Sequence, residues 1–418
     1  MDVTINPTLL RGKITPPPSK SQAHRLIIAA AFSDRECVIS NVAFSQDILA
    51  TLNAMTQLGA SWERVDEQSV RIRGVRLGTP VLQKDGLPHL DCGESGSTLR
   101  FLIPIALAVA GGGVFTGHGR LMHRPQQPYI DLFKEKDIEY TLENEHLTVR
   151  GTLTSGTYAL PGNVSSQFFT GLLYALSLVD GESHIVSTTE LESRSYIDLT
   201  IDALSHCGVD VKETDEEYPA FSVIGGKHIS CPDCSVENDW SQAGFYYAAQ
   251  GTGNELCICG MNQQSKQGDR AVARQSSMLK QSGEVILDVS DCPDLVPPLA
   301  VQAALRGLGN VTRIEKAARL RMKESDRLTA VTKTLNAMGA NIKELEDGLV
   351  ITGVDTLEGS VEIDSFNDHR IAMMAAVGAT RCRKPITILG ADCVKKSYPN
   401  FWEDYEMLGG KIRREETT

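Results

Sequence analysis

The sequence predicts an α/β protein of two domains, each internally repeated. Two observations carry this. A unit of apolar-periodic helix, Gly or polar stop and short alternating strand recurs along the chain, and its copies divide three and three around a Pro/Cys/Ser/Asp-rich turn. In chain order the copies are Thr51–Val65, Asp131–Glu143, Ile201–Glu213, Ser276–Val289, Lys333–Glu344 and Glu403–Glu415. In each, the Gly or polar residue suits the left-handed position that ends a helix before a strand. The turn between the third and fourth copies lies within Lys227–Gln250, and a stiff run, Pro16–Pro18, stands near the start. If the chain crosses between domains at both places, the N-terminal strand belongs with the C-terminal half. The expected division is then 1–15 plus 236–418 for one domain and 16–235 for the other. A double crossover of that kind suits closure around a ligand.

Bulk composition narrows the function. With 418 residues, 41% hydrophobic and 22% charged, the chain can bury large cores. A net charge of −12 argues against a general nucleic-acid or anionic-membrane surface, so any anion site must concentrate its cations locally. No leader pattern opens the sequence and no apolar run approaches a membrane span, which reads as cytoplasmic. The ten cysteines read as reduced, scattered structural thiols; Cys231-x-x-Cys234 with Cys257 and Cys259 has the wrong spacing for a zinc knuckle.

The basic residues gather in short polar segments directly before apolar helices. Ser19–Leu26 places Lys20 and Ser21 at a helix start, with Arg25 one turn on; orphan N–H groups and the helix dipole favour an anion there. Asp91–Phe101 repeats the design, with Gly93 and Gly96 flanking Glu94-Ser95, and Ser97-Thr98 expected to precede the helix. Gly117–Pro125 adds Arg120, His123 and Arg124, and Pro161–Leu176 adds Ser165, Ser166 and Gln167 at another helix start. In the second half Asp294 stands before an apolar helix, and Arg319–Leu328 packs Arg319, Arg321, Lys323, Glu324, Asp326 and Arg327 together. Helical spacing predicts that Lys323 and Arg327 share a face while Glu324 points elsewhere. Asp368, His369 and Arg370 lead a buried helix, and Lys396 follows near the end. So many cations beside apolar helices imply substrates bearing phosphates and carboxylates, with Asp294 and Glu324 available for proton transfer. There is no P-loop and no dinucleotide fingerprint. Chemistry on anionic metabolites without cofactor or metal is the reading of the residues alone.

The segments PSKSQAHR, GESGSTLRF, HRPQQP, SSQFFTGLL, SRSYIDLT, DCPDLVPPLA, RMKESDRL, NDHRIAMM and KKSYPNF, in this order, resemble the motifs of the 5-enolpyruvylshikimate-3-phosphate synthase family. The resemblance implies an inside-out α/β fold in which each domain holds three βαβαββ units with its helices inward, a double-crossover hinge and an active site in the interdomain cleft. It implies phosphoenolpyruvate and shikimate 3-phosphate as substrates of a monomer, with no cofactor. Lys20, Ser21, Arg25, Ser165, Ser166, Gln167, Ser193, Tyr196, Asp294 and Lys323 match positions that hold shikimate 3-phosphate. Lys20, Gly96, Arg124, Gln167, Arg327, Arg370 and Lys396 match those that hold phosphoenolpyruvate. Asp294, Glu324 and Lys20 match the groups that move protons.

Three residues depart from the family pattern: Glu94 and Arg319, where Asn is frequent, and Ser195, where Pro is common. The related transferase that acts on UDP-N-acetylglucosamine carries Lys-Asn near its start and a loop cysteine. Here Lys20-Ser21 stands there, and no cysteine lies between Cys92 and Cys207. A non-catalytic sensor could keep Arg25, Ser165 and Ser166, but would have no need of Lys20, Asp294, Glu324 and Lys396. His24 reads as structural.

Overall fold

The computed structural model describes residues 1–75, 81–214 and 217–416. It divides into two compact units, Met1–Pro17 with Asn238–Thr418, and Pro18–Glu237.

The Pro18–Glu237 unit holds three four-stranded sheets of one topology. In each, two parallel strands are followed by an antiparallel hairpin. In the first sheet 234–235 pairs parallel with Cys37–Ser40, which pairs antiparallel with Ser69–Arg73 and that with Ser61–Asp66. His89–Asp91, Gly112–Thr116, His146–Arg150 and Glu139–Glu143 form the second. Thr157–Leu160, Gly181–Ser187, Ala220–Gly225 and Val211–Thr214 form the third. The helices between them are α1 (Lys20–Ala30), α2 (Gln46–Gln57), α3 (Gly96–Ala110), α4 (Gln127–Glu135), α5 (Ser166–Leu178) and α6 (Arg194–His206). Helix α3 is buried from Thr98 to Leu107 and α5 from Phe168 to Ser177, apolar but for Arg100 and a few hydroxyls, the sign of a helix enclosed on most sides rather than one facing solvent.

The other unit repeats the plan with α7 (Trp240–Gly251), α8 (Val272–Met278), α9 (Val296–Ala304), α10 (Arg327–Ala337), α11 (His369–Ala379) and α12 (Phe401–Met407). Two of its sheets have the same parallel-then-hairpin order. One comprises Glu284–Asp288, Val311–Glu315, Gly348–Thr352 and Asn341–Leu345; the other closes Val361–Asp364 and Ile386–Leu389 with Asp2–Asn6 and Lys411–Glu415. The N-terminal strand therefore completes a sheet made by the C-terminus.

The repeat is less regular than six equal copies. Among the described residues the third sheet of this unit has two strands, Arg11–Ile14 parallel to Glu255–Ile258. The strand read as the end of the Ser276–Val289 copy opens the next repeat instead, pairing parallel with Val311–Glu315. Local periodicity marks a strand but not its partner, which is chosen by long-range hydrogen bonding. The cysteines also differ from expectation. Cys207, just past α6, is joined by a disulfide to Cys231, their Cα atoms 4.1 Å apart. Sequence separation hid this proximity: the backbone N–H of Ser230 donates to the Cys207 carbonyl and brings the two thiols together. Among the described residues no helix is long and apolar enough to cross a membrane.

Candidate active site

In the Pro18–Glu237 unit the cations lie against serine-capped helix starts. The hydroxyls of Ser19, Ser95 and Ser165 cap α1, α3 and α5, accepting from the backbone N–H of Gln22, Thr98 and Gln167. Helix α3 begins at Gly96, so Ser97 and Thr98 belong to its first turn instead of preceding it. The Lys20 ammonium donates to Asp47 at 2.7 Å.

Arg25 is 2% exposed. Its Nε donates to the Thr200 hydroxyl (2.9 Å) and the Tyr196 carbonyl (3.1 Å), and its Nη1 to the Ser21 carbonyl (2.7 Å). No carboxylate pairs with it among the described residues, and burial draws its pKa down to about 10. Arg124 is more open to a ligand. It is 8% exposed, its Nε is buried without a partner, and its guanidinium lies against Gly96. A Cβ on Gly96 would sit 2.5 Å from Nη1. A buried guanidinium without a carboxylate is costly unless an anion arrives to pair with it.

Gln167 is held from both ends, accepting at Oε1 from Arg100 (3.0 Å) and donating to the Ser97 hydroxyl (3.1 Å). Arg100 Nη2 donates to the Pro125 carbonyl, the residue after Arg124. Ser165 and Ser166 stand at the start of α5, and Ser193 at the start of α6 with φ 56°, so these hydroxyls and Tyr196 belong to two adjacent helix ends.

In the other unit the charges neutralise one another. Arg327 is 1% exposed and grips three carboxylates: Asp294 from Nη1 (2.9 Å), Glu324 from Nη2 (2.6 Å) and Asp368 from Nε (2.9 Å). Arg370 Nη2 reaches the other oxygen of Asp294 at 2.9 Å, and its Nη1 donates to the Ser241 hydroxyl. Lys323 Nζ stands 3.8 Å from Asp294. Burial alone would raise the Asp294 pKa, but Arg370, Lys323 and Arg327 outweigh it and hold the carboxyl well below the usual range. The carboxylates opposite raise the Arg327 pKa against the effect of burial.

Lys323 and Arg327 do not share a helical face. Residues Ala318–Met322 form a 3₁₀ turn, Lys323 is extended, and α10 starts only at Arg327, so Glu324 turns back onto the Arg327 guanidinium. The Lys396 ammonium donates to the Asn367 carbonyl at 2.7 Å.

The structure thus gathers Asp294, Lys323, Glu324, Arg327 and Arg370 into one network within their unit. Within theirs, Ser21, Arg25 and Tyr196 form one connected set, and Gln167, Ser165, Gly96 and Arg124 group around Arg100. Three charged residues of these networks had no assigned role: Asp47, Arg100 and Asp368. Arg100 carried a signal, since it lies one turn after Ser97 on an otherwise apolar helix. In the sequence Asp368 stands only among the residues leading a helix and Asp47 drew no reading; the structure makes the first the cap of α11 and places the second in the first turn of α2.

Repeated parallel-then-hairpin modules carrying buried cations at helix starts define an α/β protein built to hold anionic metabolites. The family model described as EPSP synthase (3-phosphoshikimate 1-carboxyvinyltransferase) matches residues 5–405. The chain belongs to that family. It is 43% identical to the 3-phosphoshikimate 1-carboxyvinyltransferase of Clostridium perfringens (strain 13 / Type A), covering 99% of each protein. It is 44% identical to that of Clostridium kluyveri over 98% of each. Among solved structures it resembles an EPSP synthase from Acinetobacter baumannii, with a TM-score of 0.78 at 25% identity over 99% of this chain and 100% of that one.

Proposed function

We propose that this chain transfers the carboxyvinyl group of phosphoenolpyruvate to the 5-hydroxyl of shikimate 3-phosphate and releases phosphate, in the shikimate route to aromatic amino acids. The observation that carries this reading beyond family membership is the buried Arg124 guanidinium, without a carboxylate partner among the described residues, against a Gly96 that leaves room beside it. Such a group is poised for a phosphate or carboxylate.

Arg124, Lys20, Gly96 and Gln167 would hold phosphoenolpyruvate, with Arg327, Arg370 and Lys396. Ser21, Arg25, Ser165, Ser166, Gln167, Ser193 and Tyr196 would hold shikimate 3-phosphate, with Asp294 and Lys323. The 5-hydroxyl attacks C2 of phosphoenolpyruvate while its proton passes to Asp294. C3 takes a proton from Glu324 or Lys20, giving a tetrahedral intermediate. Loss of a C3 proton and expulsion of phosphate from C2 then leave the enol ether.

Asp294 bonded to two arginines is a weak base. Phosphoenolpyruvate competing for Arg327 and Arg370 would loosen that hold and raise the basicity of Asp294 as the hydroxyl arrives. Substrate binding would in this way switch on the base. The test is phosphate release from phosphoenolpyruvate mixed with shikimate 3-phosphate, with UDP-N-acetylglucosamine as the control acceptor. Release with the shikimate ester alone is expected; no release with it overturns the reading.

A further inference from the structure

A chain of side-chain hydrogen bonds runs through the Pro18–Glu237 unit from α1 through α2 to the cap of α3, and the reaction leaves it unused. His24 Nδ1 lies 2.7 Å from the Thr51 hydroxyl, Thr51 Oγ1 2.7 Å from Thr98 Oγ1, and Thr98 Oγ1 donates to Ser95 Oγ at 2.8 Å. All four residues are buried, His24, Thr51 and Thr98 completely.

The donors can be assigned in sequence, because each hydroxyl has one hydrogen. Thr98 gives its hydrogen to Ser95, so the Thr51–Thr98 contact is donated by Thr51. Thr51 is thereby committed to Thr98 over the Asp47 carbonyl, which is 3.4 Å away. It can then only accept at its His24 contact, so His24 carries its hydrogen on Nδ1. Burial, reinforced by Lys20 and Arg25, holds the His24 pKa well below its ordinary value, so the ring is neutral. Its Nε2, buried without a partner, is then a bare lone pair and not an unsatisfied N–H.

Helix α2 is the middle link. Asp47 and Thr51 stand four residues apart on one of its faces, the first paired with Lys20 and the second bonded to Thr98. At the far end Ser95 caps the helix whose first residue, Gly96, lies against Arg124. One face of α2 therefore fixes the start of α1, where Lys20 sits, relative to the start of α3, which lies against Arg124.

We propose that Thr51 is a positioning residue for phosphoenolpyruvate, acting through the His24–Thr51–Thr98–Ser95 chain on the Gly96–Arg124 contact and with Asp47 on Lys20. This rests on the proposed assignment of Lys20, Gly96 and Arg124 to that substrate. The test compares Thr51→Val, which keeps the shape and loses the hydroxyl, with Thr51→Ser, which restores it. Losing one buried hydrogen bond is expected to raise KM for phosphoenolpyruvate about five-fold, with kcat and KM for shikimate 3-phosphate changed less than about two-fold and Thr51→Ser near wild type. A parallel rise in both KM values, or failure of Thr51→Ser to restore, would mean that the hydroxyl only supports packing.

A second measurement is independent of turnover. Nitrogen NMR of the histidines should show His24 as the Nδ1–H tautomer in the wild type, and Thr51→Val should redistribute it. A wild-type Nε2–H tautomer overturns the chain itself. Absence of wild-type turnover sinks the substrate assignment and leaves the tautomer result to judge the chain. If Thr51→Val does not fold, Thr98→Val breaks the same chain one link further on and is read in the same way.

Discussion

Four helix starts in one unit are capped by serine and three in the other by aspartate. Ser19, Ser45, Ser95 and Ser165 cap α1, α2, α3 and α5, whereas Asp239, Asp326 and Asp368 cap α7, α10 and α11. Both satisfy orphan N–H groups, but an aspartate also places a negative charge on the positive end of the helix and a serine does not. The arginines follow the caps. Arg25 and Arg124 are buried beside serine-capped starts with no carboxylate among the described residues, while Arg327 and Arg370 are bound to Asp294, and Arg327 also to Asp368 and Glu324. The first arrangement keeps an unbalanced positive charge ready for an incoming anion. The second is complete without one, so an anion there must compete with Asp294. In the proposed reaction the same residue type would store binding energy in one unit and gate a proton acceptor in the other.

The largest expected effect comes from removing that acceptor. Asp294→Ala should lower kcat by roughly 10²- to 10⁴-fold, the range for losing a general base, and weaken shikimate 3-phosphate binding far less. Single-turnover kinetics with a binding titration separate the two, and unchanged turnover would remove Asp294 from the chemistry.

Next in size is the contrast between two arginines. Arg327→Leu takes the ion-pair partner from the buried Asp368 and one of the two arginines from Asp294, and should cost about 3–5 kcal/mol in denaturant unfolding, as breaking a buried ion pair does. Arg124→Leu strands no carboxylate, so it should leave stability unchanged or raised and instead raise KM for phosphoenolpyruvate by about 10-fold or more. Equal destabilisation by both would erase the distinction between the units.

Gly96→Ala should act on Arg124 alone. The added methyl meets the end of a flexible side chain, so the guanidinium shifts and KM for phosphoenolpyruvate rises while the thermal midpoint stays near wild type. No change in KM would show that Arg124 has room to step aside.

The smallest effect is a pH slope from His24. Its folded pKa is depressed, so the unfolded chain takes up the proton first, and stability is fully present above the unfolded value and lost as pH falls. Below about pH 6.5 the loss should approach 1.4 kcal/mol per pH unit, and His24→Asn should flatten it, as read from urea midpoints across that range.

Much of the site was legible because its motifs are local. The starts of α1, α5 and α11 follow from a capping residue followed by an apolar run, and such starts can be read from a few neighbours. Partner choices were not. Glu324 was expected to point away from Arg327 on a helix, yet it lies in the bend between a 3₁₀ turn and the start of α10, and its carboxylate folds back onto the guanidinium. Cys207 and Cys231 read as separate thiols because they are 24 residues apart in sequence. Asp47 drew no reading from the sequence and Asp368 only that it leads a helix, and three-dimensional packing gave them Lys20 and Arg327.

The sequence by itself determined the α/β class, the repeating plan, the family and most of the charged residues of the candidate site. Each depends on residue type and short-range order, which the chain carries without folding. Only the tertiary structure decided which cations are neutralised and which stay ready for a ligand. That depends on which carboxylates come within about 3 Å of a buried guanidinium, where low polarisability makes a charge pair decisive. It also decided that His24 ends a hydrogen-bond chain, because Thr51 reaches it from α2 and is itself bonded to Thr98 on α3.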